Sequence, residues 1–404
     1  VGCLLLVVSA RVGVAGQATN PTQSSADTSP GWVFTPSFSF GGGWDDNVLL
    51  QSGVGPPLGD YVTSLTPAGI LDYNGRRLQL SSTYRGSFSI YRELTDLNTL
   101  DQYGRFSVRY RMTPRATIGV LQSIAHSPTT DIVELVAVPF ERIGTLNSST
   151  DAVVDVRLTA RTTARTGYRL RLVDFDDEGV ERLRFPGGHA HEFTSAVDHR
   201  LSKRLTLGGL YTFQHVRFEE VDSPVGVSDN SAPVLLHYAV ATGEYRLTEV
   251  LTILGNLGID YLAEVEDQPS RAGLAWKAGV VATWRRITAS GSYERSAVPS
   301  FGFGGVSDNE ELTGSIRGDF ARRRAYWQTT VALRDNQPIT PGFPIRRTFW
   351  WSAGTGYSIQ PWLRIEGYYA FAAQDNVQVL GGRINRNRIG FQIVTHKPLR
   401  LRDK

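Results

Sequence analysis

Residues 102–120, QYGRFSVRYRMTPRATIGV, change character at every second position. Gly104, Phe106, Val108, Tyr110 and Met112 fall on one side, and Arg105, Ser107, Arg109 and Arg111 on the other. A period of two belongs to an extended strand, whose successive side chains point to opposite faces. Such a strand needs an apolar medium on one face and water on the other. The pattern returns along most of the chain. In RLQLSSTYRGSFSIY, Leu78, Leu80, Tyr84, Gly86, Phe88 and Ile90 oppose Arg77, Gln79, Ser81, Thr83, Arg85, Ser87 and Ser89. In LTILGNLGIDY, Leu251, Ile253, Leu257, Ile259 and Tyr261 oppose Thr252, Asn256 and Asp260, and ELTGSIRGDF and WLRIEGYYAF alternate likewise.

These runs last about 10–14 residues, against 5–6 for a usual soluble strand and about 9–11 for a tilted strand crossing a bilayer. About 18 strands are predicted, with 16 the alternative. Their cores are 32–44, 62–73, 77–90, 102–112, 117–126, 151–161, 167–175, 190–200, 204–217, 234–247, 250–262, 272–284, 287–296, 310–321, 325–334, 347–358, 362–373 and 387–397. The fifth alternates poorly, and DIVELVAVPF (131–140) reads as an extra strand or as part of a loop. Short turns such as YNGRR, YRMTPRAT, HRLSKRLT and YRLTEVLT alternate with longer loops rich in Asp, Asn, Pro and Gly. A hairpin of about 40 residues is therefore the repeating unit, without a sharp sequence repeat.

A sheet of that size leaves two raw edges unless it closes on itself. In hydrocarbon closure is obligatory, because each unpaired amide costs several kcal/mol. The expected fold is thus all-β: a transmembrane antiparallel up-and-down β-barrel over residues 32–398, with short periplasmic turns and long extracellular loops. The 41% hydrophobic content and mean hydropathy of −0.20 fit a barrel whose inner half is polar. Tyr73, Tyr110, Tyr245, Trp284, Trp327, Tyr357 and Trp362 sit beside short turns, where an interfacial girdle would lie, and Phe88, Tyr103, Phe213, Tyr261, Tyr293 and Phe371 sit toward the long loops. A soluble sandwich, propeller or solenoid is the alternative, but its strands would be shorter and its outer face polar.

The first 18 residues, VGCLLLVVSARVGVAGQA, read as the apolar and cleavage regions of a secretory signal truncated at its start, followed by a polar linker to residue 31; residues 399–404 form a tail. That places the expected location in the outer membrane of a Gram-negative bacterium. Cys3 is the single cysteine, so no disulfide or thiolate metal site can form. A net charge of +3 carries no nucleic-acid signal.

Strand parity assigns a cationic lumen set, Arg77, Arg85, Arg105, Arg109, Arg111, Arg157, Arg169 and Arg171, and an acidic set, Asp155, Asp198, Glu244, Asp260, Asp319 and Glu366. Positive charge gathers in the first half and acid in the second. One reading is a field across a pore that attracts anions; the other is a set of cross-strand ion pairs that stiffen the wall. His189, His191 and Glu192 are too few for a metal site, and WDDN (44–47) fits a turn better than a calcium loop. His126, His199 and His215 accompany no nucleophile motif, and GVGPPLG and GFGGVSD lack the P-loop lysine, so neither an enzyme nor a cofactor is expected.

GGGWDDNVLL (41–50), SLTPAGILDYNGRRLQLSSTYRG (64–86), YRMTPRATIG (110–119), LTARTTARTGYRL (158–170) and RNRIGFQIVTHKPL (386–399) together resemble the outer-membrane β-barrel porins of the second type. Many of those occur beside exopolysaccharide or surface-polymer systems. The resemblance implies a porin-like pore for small solutes or for export of an anionic polysaccharide. Its expected partners are outer-membrane lipids, the barrel-assembly machinery and exopolysaccharide-secretion components. The alternative is a non-conducting surface, adhesion or secretion-accessory barrel whose loops bind a partner.

Overall fold

The computed structural model describes residues 31–52, 56–130, 142–176, 185–219, 233–263, 270–302, 305–339, 345–376 and 382–401. The 131–140 segment and the expected leader and linker, residues 1–30, lie outside them. Strands β1 (Gly31–Asp45), β2 (Asp60–Asn74), β3 (Leu78–Tyr91), β4 (Thr99–Arg111), β5 (Ala116–Ser127) and β6 (Thr145–Arg157) open the chain. There follow β7 (Thr162–Phe175), β8 (Gly188–Arg200), β9 (Leu205–Phe218), β10 (Val234–Arg246), β11 (Leu251–Leu262) and β12 (Arg271–Trp284). The last are β13 (Ile287–Pro299), β14 (Val306–Phe320), β15 (Ala325–Pro338), β16 (Arg346–Gln360), β17 (Leu363–Asn376), β18 (Arg383–His396) and the short β19 (Leu399–Leu401). Consecutive strands from β1 to β18 pair antiparallel, and β1 pairs with β18 and with the short β19, so the ladder closes into an 18-strand barrel.

Directly opposed residues of an antiparallel pair share a face, so one assignment propagates around the barrel. Phe106 is 45% exposed and Leu257 62% exposed, which marks their face as outer. Tyr110, Tyr245, Trp284, Trp327, Tyr357 and Trp362 form the exposed girdle at the short turns, and Trp32 stacks on Tyr73 at 4.9 Å in the same belt. At the long-loop end Tyr103 breaks the expectation. It stands opposite Arg85, faces inward, and takes that guanidinium over its ring at 5.4 Å.

The sixth strand also differs from its predicted span of 151–161, running from Thr145 to Arg157. A hydroxyl stops it. Thr159 Oγ1 accepts from the backbone N–H groups of Arg161 (3.1 Å) and Thr162 (3.0 Å), folding 158–161 into a tight turn. Thr113, Ser202 and Thr248 make the same pair of bonds to residues two and three positions on. Four consecutive short turns therefore share one design, RMTPR (111–115), RLTAR (157–161), RLSKR (200–204) and RLTEV (246–250). The chain does carry a local repeat, visible once the turn chemistry is known.

The closing seam has its own chemistry. A Cβ at Gly41 would lie 2.5 Å from the Phe391 carbonyl oxygen, and one at Gly43 would lie 2.4 Å from that of Ile389, so GGGW is what lets β1 approach β18. Above it, Asp45 pairs with Arg386 Nη2 at 2.5 Å with both side chains 4% exposed. Asp46 accepts from the backbone N and Nδ2 of Asn387, each at 2.6 Å, and Asn47 Nδ2 donates to the Asn385 carbonyl at 2.8 Å. The WDDN segment is thus a clasp. Beyond β18, β19 keeps the same register on β1 past Pro398, which has no N–H to give. Asp45→Ala would leave Arg386 buried without its carboxylate and is expected to cost about 3–5 kcal/mol. The check is the urea midpoint of the folded barrel in detergent, with loss of the heat-modifiable band on gels as the second readout.

Candidate functional site

The inner wall carries charged and polar residues on most strands, with apolar patches at the long-loop end, and its two sides are built differently. Along β14–β18 the polar side chains are buried against one another: Arg334, Arg346, Arg364, Glu366, Gln374 and Arg386 are all covered. Glu366 accepts from Tyr326 Oη and Gln392 Nε2, both at 2.6 Å, and pairs with Arg364 at 2.5 Å. Arg334 pairs with Glu311 at 3.0 Å. Leu50, from the β1–β2 connection, turns inward and packs on Trp350, Ala332, Ala372 and Ile384, which are inner-face positions of β15–β18.

A second inturned segment joins β13 to β14. Phe301 is 2% exposed and packs among Val216, Phe218, Leu236 and Leu262 on the inner wall of β9–β11, with the Arg171 guanidinium 5.4 Å from its ring centre. Arg142 reaches from the β5–β6 connection to the carbonyls of Val48 (3.2 Å) and Leu97 (2.8 Å), tying three connections together. The long-loop half of the lumen is therefore narrowed from two sides by Leu50 and Phe301.

Between those fillings, the arginines on the inner face of β4 are exposed. Arg105, Arg109 and Arg111 follow one another there, and none has an ion-pair or hydrogen-bond partner among the described residues. Their cross-strand neighbours are Thr83, Gln79, Ser123, Gly119 and Thr117, none of them acidic. The nearest unengaged inner-face carboxylate, Asp72, stands two strands from β4, about 10 Å at the usual strand spacing. Guanidiniums with no carboxylate beside them project their full charge into the lumen.

The other predicted residues separate into clear groups. Arg169 pairs with Asp151 and, at 3.3 Å, with Glu192, while Asp155 takes Arg165 at 2.7 Å. These are wall-stiffening pairs. Arg85 and Arg171 face inward over the aromatic rings already described. Arg77 lies in the β2–β3 turn and Arg157 ends β6, so both sit at the short-turn rim, below the wall proper. Asp260 accepts from the Ala297 N–H at 2.9 Å, Asp319 pairs with Arg317 at 3.4 Å, and Asp198 and Glu244 take inner positions on β8 and β10. The expected acidic half is not acidic in net terms. Arg317, Arg334, Arg364 and Arg386 lie among its carboxylates and neutralise them. The surplus positive charge comes from β4.

Arg165 and Arg386 escaped the parity reading because their strands begin at Thr162 and Arg383 and not at 167 and 387. His189 and His191 face outward opposite Arg217 and His215, whereas Glu192 faces inward, so that trio never meets. His126, His199 and His215 also point outward, away from the lumen.

No protein-family model matches this sequence, and no curated protein sequence resembles it. Among solved structures it is similar to OpdQ of Pseudomonas aeruginosa (8% identity, TM-score 0.45, 91% of this chain and 97% of that one). OpdK of the same organism, solved with vanillate, gives 12% identity and a TM-score of 0.46 over 91% and 99% of the two chains. OccAB4 of Acinetobacter baumannii gives 9% and 0.46 over 92% and 100%. These are distant likenesses, and the closed barrel stands on its own strand register. Phe301→Ala empties the centre of the inturned cluster and is expected to cost about 3–5 kcal/mol. Limited proteolysis checks it, with cleavage at 300–305 faster than in the parent protein.

Proposed function

We propose that this chain is an outer-membrane channel for passive passage of small anionic solutes. The column of unpaired guanidiniums on the inner face of β4 is the observation that carries the reading. Exported by its leader and inserted by the barrel-assembly machinery, the barrel uses outer-membrane lipid as the solvent for its outer face. Three features support insertion. The exposed face is apolar, with an aromatic girdle beside the short turns. Strands of 12–15 residues in β1–β18 suffice to cross tilted. The closed ladder leaves no sheet edge to hydrocarbon.

An anion in the lumen is drawn to the β3–β5 side and passes Arg105, Arg109 and Arg111 in turn. Several weak, adjacent sites let a solute enter and still leave, which is the requirement for conduction. The inturned Leu50 and Phe301 favour small solutes over a polymer chain. A non-conducting surface barrel is the competing class, and nothing in it calls for an unneutralised inner column.

Single-channel recording of the refolded protein tests the reading. Stepwise conductance with anion preference is expected, and no current across many insertions removes the pore. Arg105→Ser, Arg109→Ser and Arg111→Ser together should bring the anion-to-cation permeability ratio toward unity. Raising salt from 0.1 M to 1 M should do the same in the parent protein, because screening shortens from about 10 Å to about 3 Å. Unchanged selectivity in the variant discards the guanidinium column.

A further inference from the structure

The repeated turn has a consequence at the short-turn mouth. Backbone bonds of 2.8 Å run from the Arg111 N–H to the Arg77 carbonyl and from Arg157 to Arg115, and likewise from Arg200 to Arg161 and from Arg246 to Arg204. These bonds continue the strand registers by one rung, Leu78 standing opposite Tyr110, Ala116 opposite Val156, Thr162 opposite His199 and Leu205 opposite Tyr245. Four successive strand pairs, β3/β4 through β9/β10, thus end on arginine facing arginine, in the register that points inward. All eight are exposed, and none has an ion-pair or hydrogen-bond partner for its side chain among the described residues.

Like charges directly opposite one another on a sheet are destabilising. A protein that repeats the arrangement four times in a row, in a chain with 39 acidic residues available for pairing, keeps the charge for something outside itself. The carboxylates at this mouth are few. Asp155 is taken by Arg165, and Asp72, Asp198, Glu244 and Glu249 are the remaining acids near the collar among the described residues. At about 4.8 Å per strand the guanidiniums form an arc in which neighbours can hold one ligand together. A monovalent anion meets one of them. A small anion with three or more charges meets several at once, and its second contact is intramolecular.

We infer that this arginine collar is a binding site for small multivalent anions, oligophosphates or polycarboxylates, at the short-turn mouth. It rests on the channel reading for its role in transport but not for its existence, since seven of its eight arginines belong to the rim alone and only Arg111 is shared with the β4 column. It selects by valency, and the column below the loops then passes what the collar concentrates. Inward register sets it apart from a rim that grips anionic lipid headgroups.

The test uses tripolyphosphate, with monovalent orthophosphate analogue methylphosphonate and a neutral trisaccharide as controls. Added to one chamber and then the other, tripolyphosphate should block single channels from one side only. Arg115→Ser, Arg161→Ser and Arg204→Ser together should raise the half-blocking concentration about tenfold or more, since each charge-assisted contact is worth about that factor. Calorimetric titration of the folded protein in zwitterionic detergent measures the same binding without current, so failure to conduct and failure to bind are separate results. Retained gel mobility shift on heating verifies that the variant is folded. Equal block from both sides, equal affinity for methylphosphonate, or an unchanged variant overturns the collar. So does a variant that binds tripolyphosphate normally but loses affinity for phosphatidylglycerol vesicles, which would assign these arginines to the lipid leaflet.

Discussion

Closure of one continuous backbone ladder is the constraint from which everything else here follows. Each strand has a partner on both edges only because β1 meets β18, and that meeting depends on glycines at 41 and 43 with no side chain to obstruct it. Once closed, the sheet has an inside and an outside instead of two edges. Period-two alternation then sorts every residue between them, and the chemistry of the two sides can diverge without limit.

The inside is divided again, by charge pairing. On the β14–β18 side, Arg334, Arg364 and Arg386 are buried against Glu311, Glu366 and Asp45, and Leu50 packs on the apolar positions beside them. Matched charge in a covered wall contributes rigidity and little field. On the β3–β5 side, serine, threonine, glutamine and glycine flank the arginines of β4, and these neighbours have no charge to cancel. The exposed inner charge is therefore off-centre, and is set by one strand and one rim more than by the overall composition.

Much of this was legible in the residues. Each of the 18 barrel strands overlaps a predicted run, because a strand with unlike faces writes its period directly into the sequence. Orientation was legible too wherever alternation was strict, as in Phe106 against Arg105. It failed at Tyr103, where an aromatic near a strand end was read as girdle although its parity with Arg105 placed it inside. It also failed for the sixth strand, where LTAR continues the alternation and only the Thr159 hydroxyl stops it. Pairing was not legible. Nothing local distinguishes Arg169, held by Asp151 and Glu192, from Arg109, held by nothing, because their neighbours come from other strands. The inturned loops were likewise invisible, since Leu50 and Phe301 find their apolar partners far away along the chain.

The clasp over the seam joins residues 341 positions apart, Asp45 to Arg386 and Asp46 to Asn387. Every other strand contact is available as soon as the next hairpin exists, but this one waits for nearly the whole polypeptide. Such a contact order makes the join the slowest event of folding and the last. Until then β1 carries an exposed edge rich in glycine, able to pair with a neighbour's β18 as readily as with its own. Only the join within one chain closes every edge at once, since a β18 lent to a neighbour leaves its own β1 and that neighbour's β18 without partners.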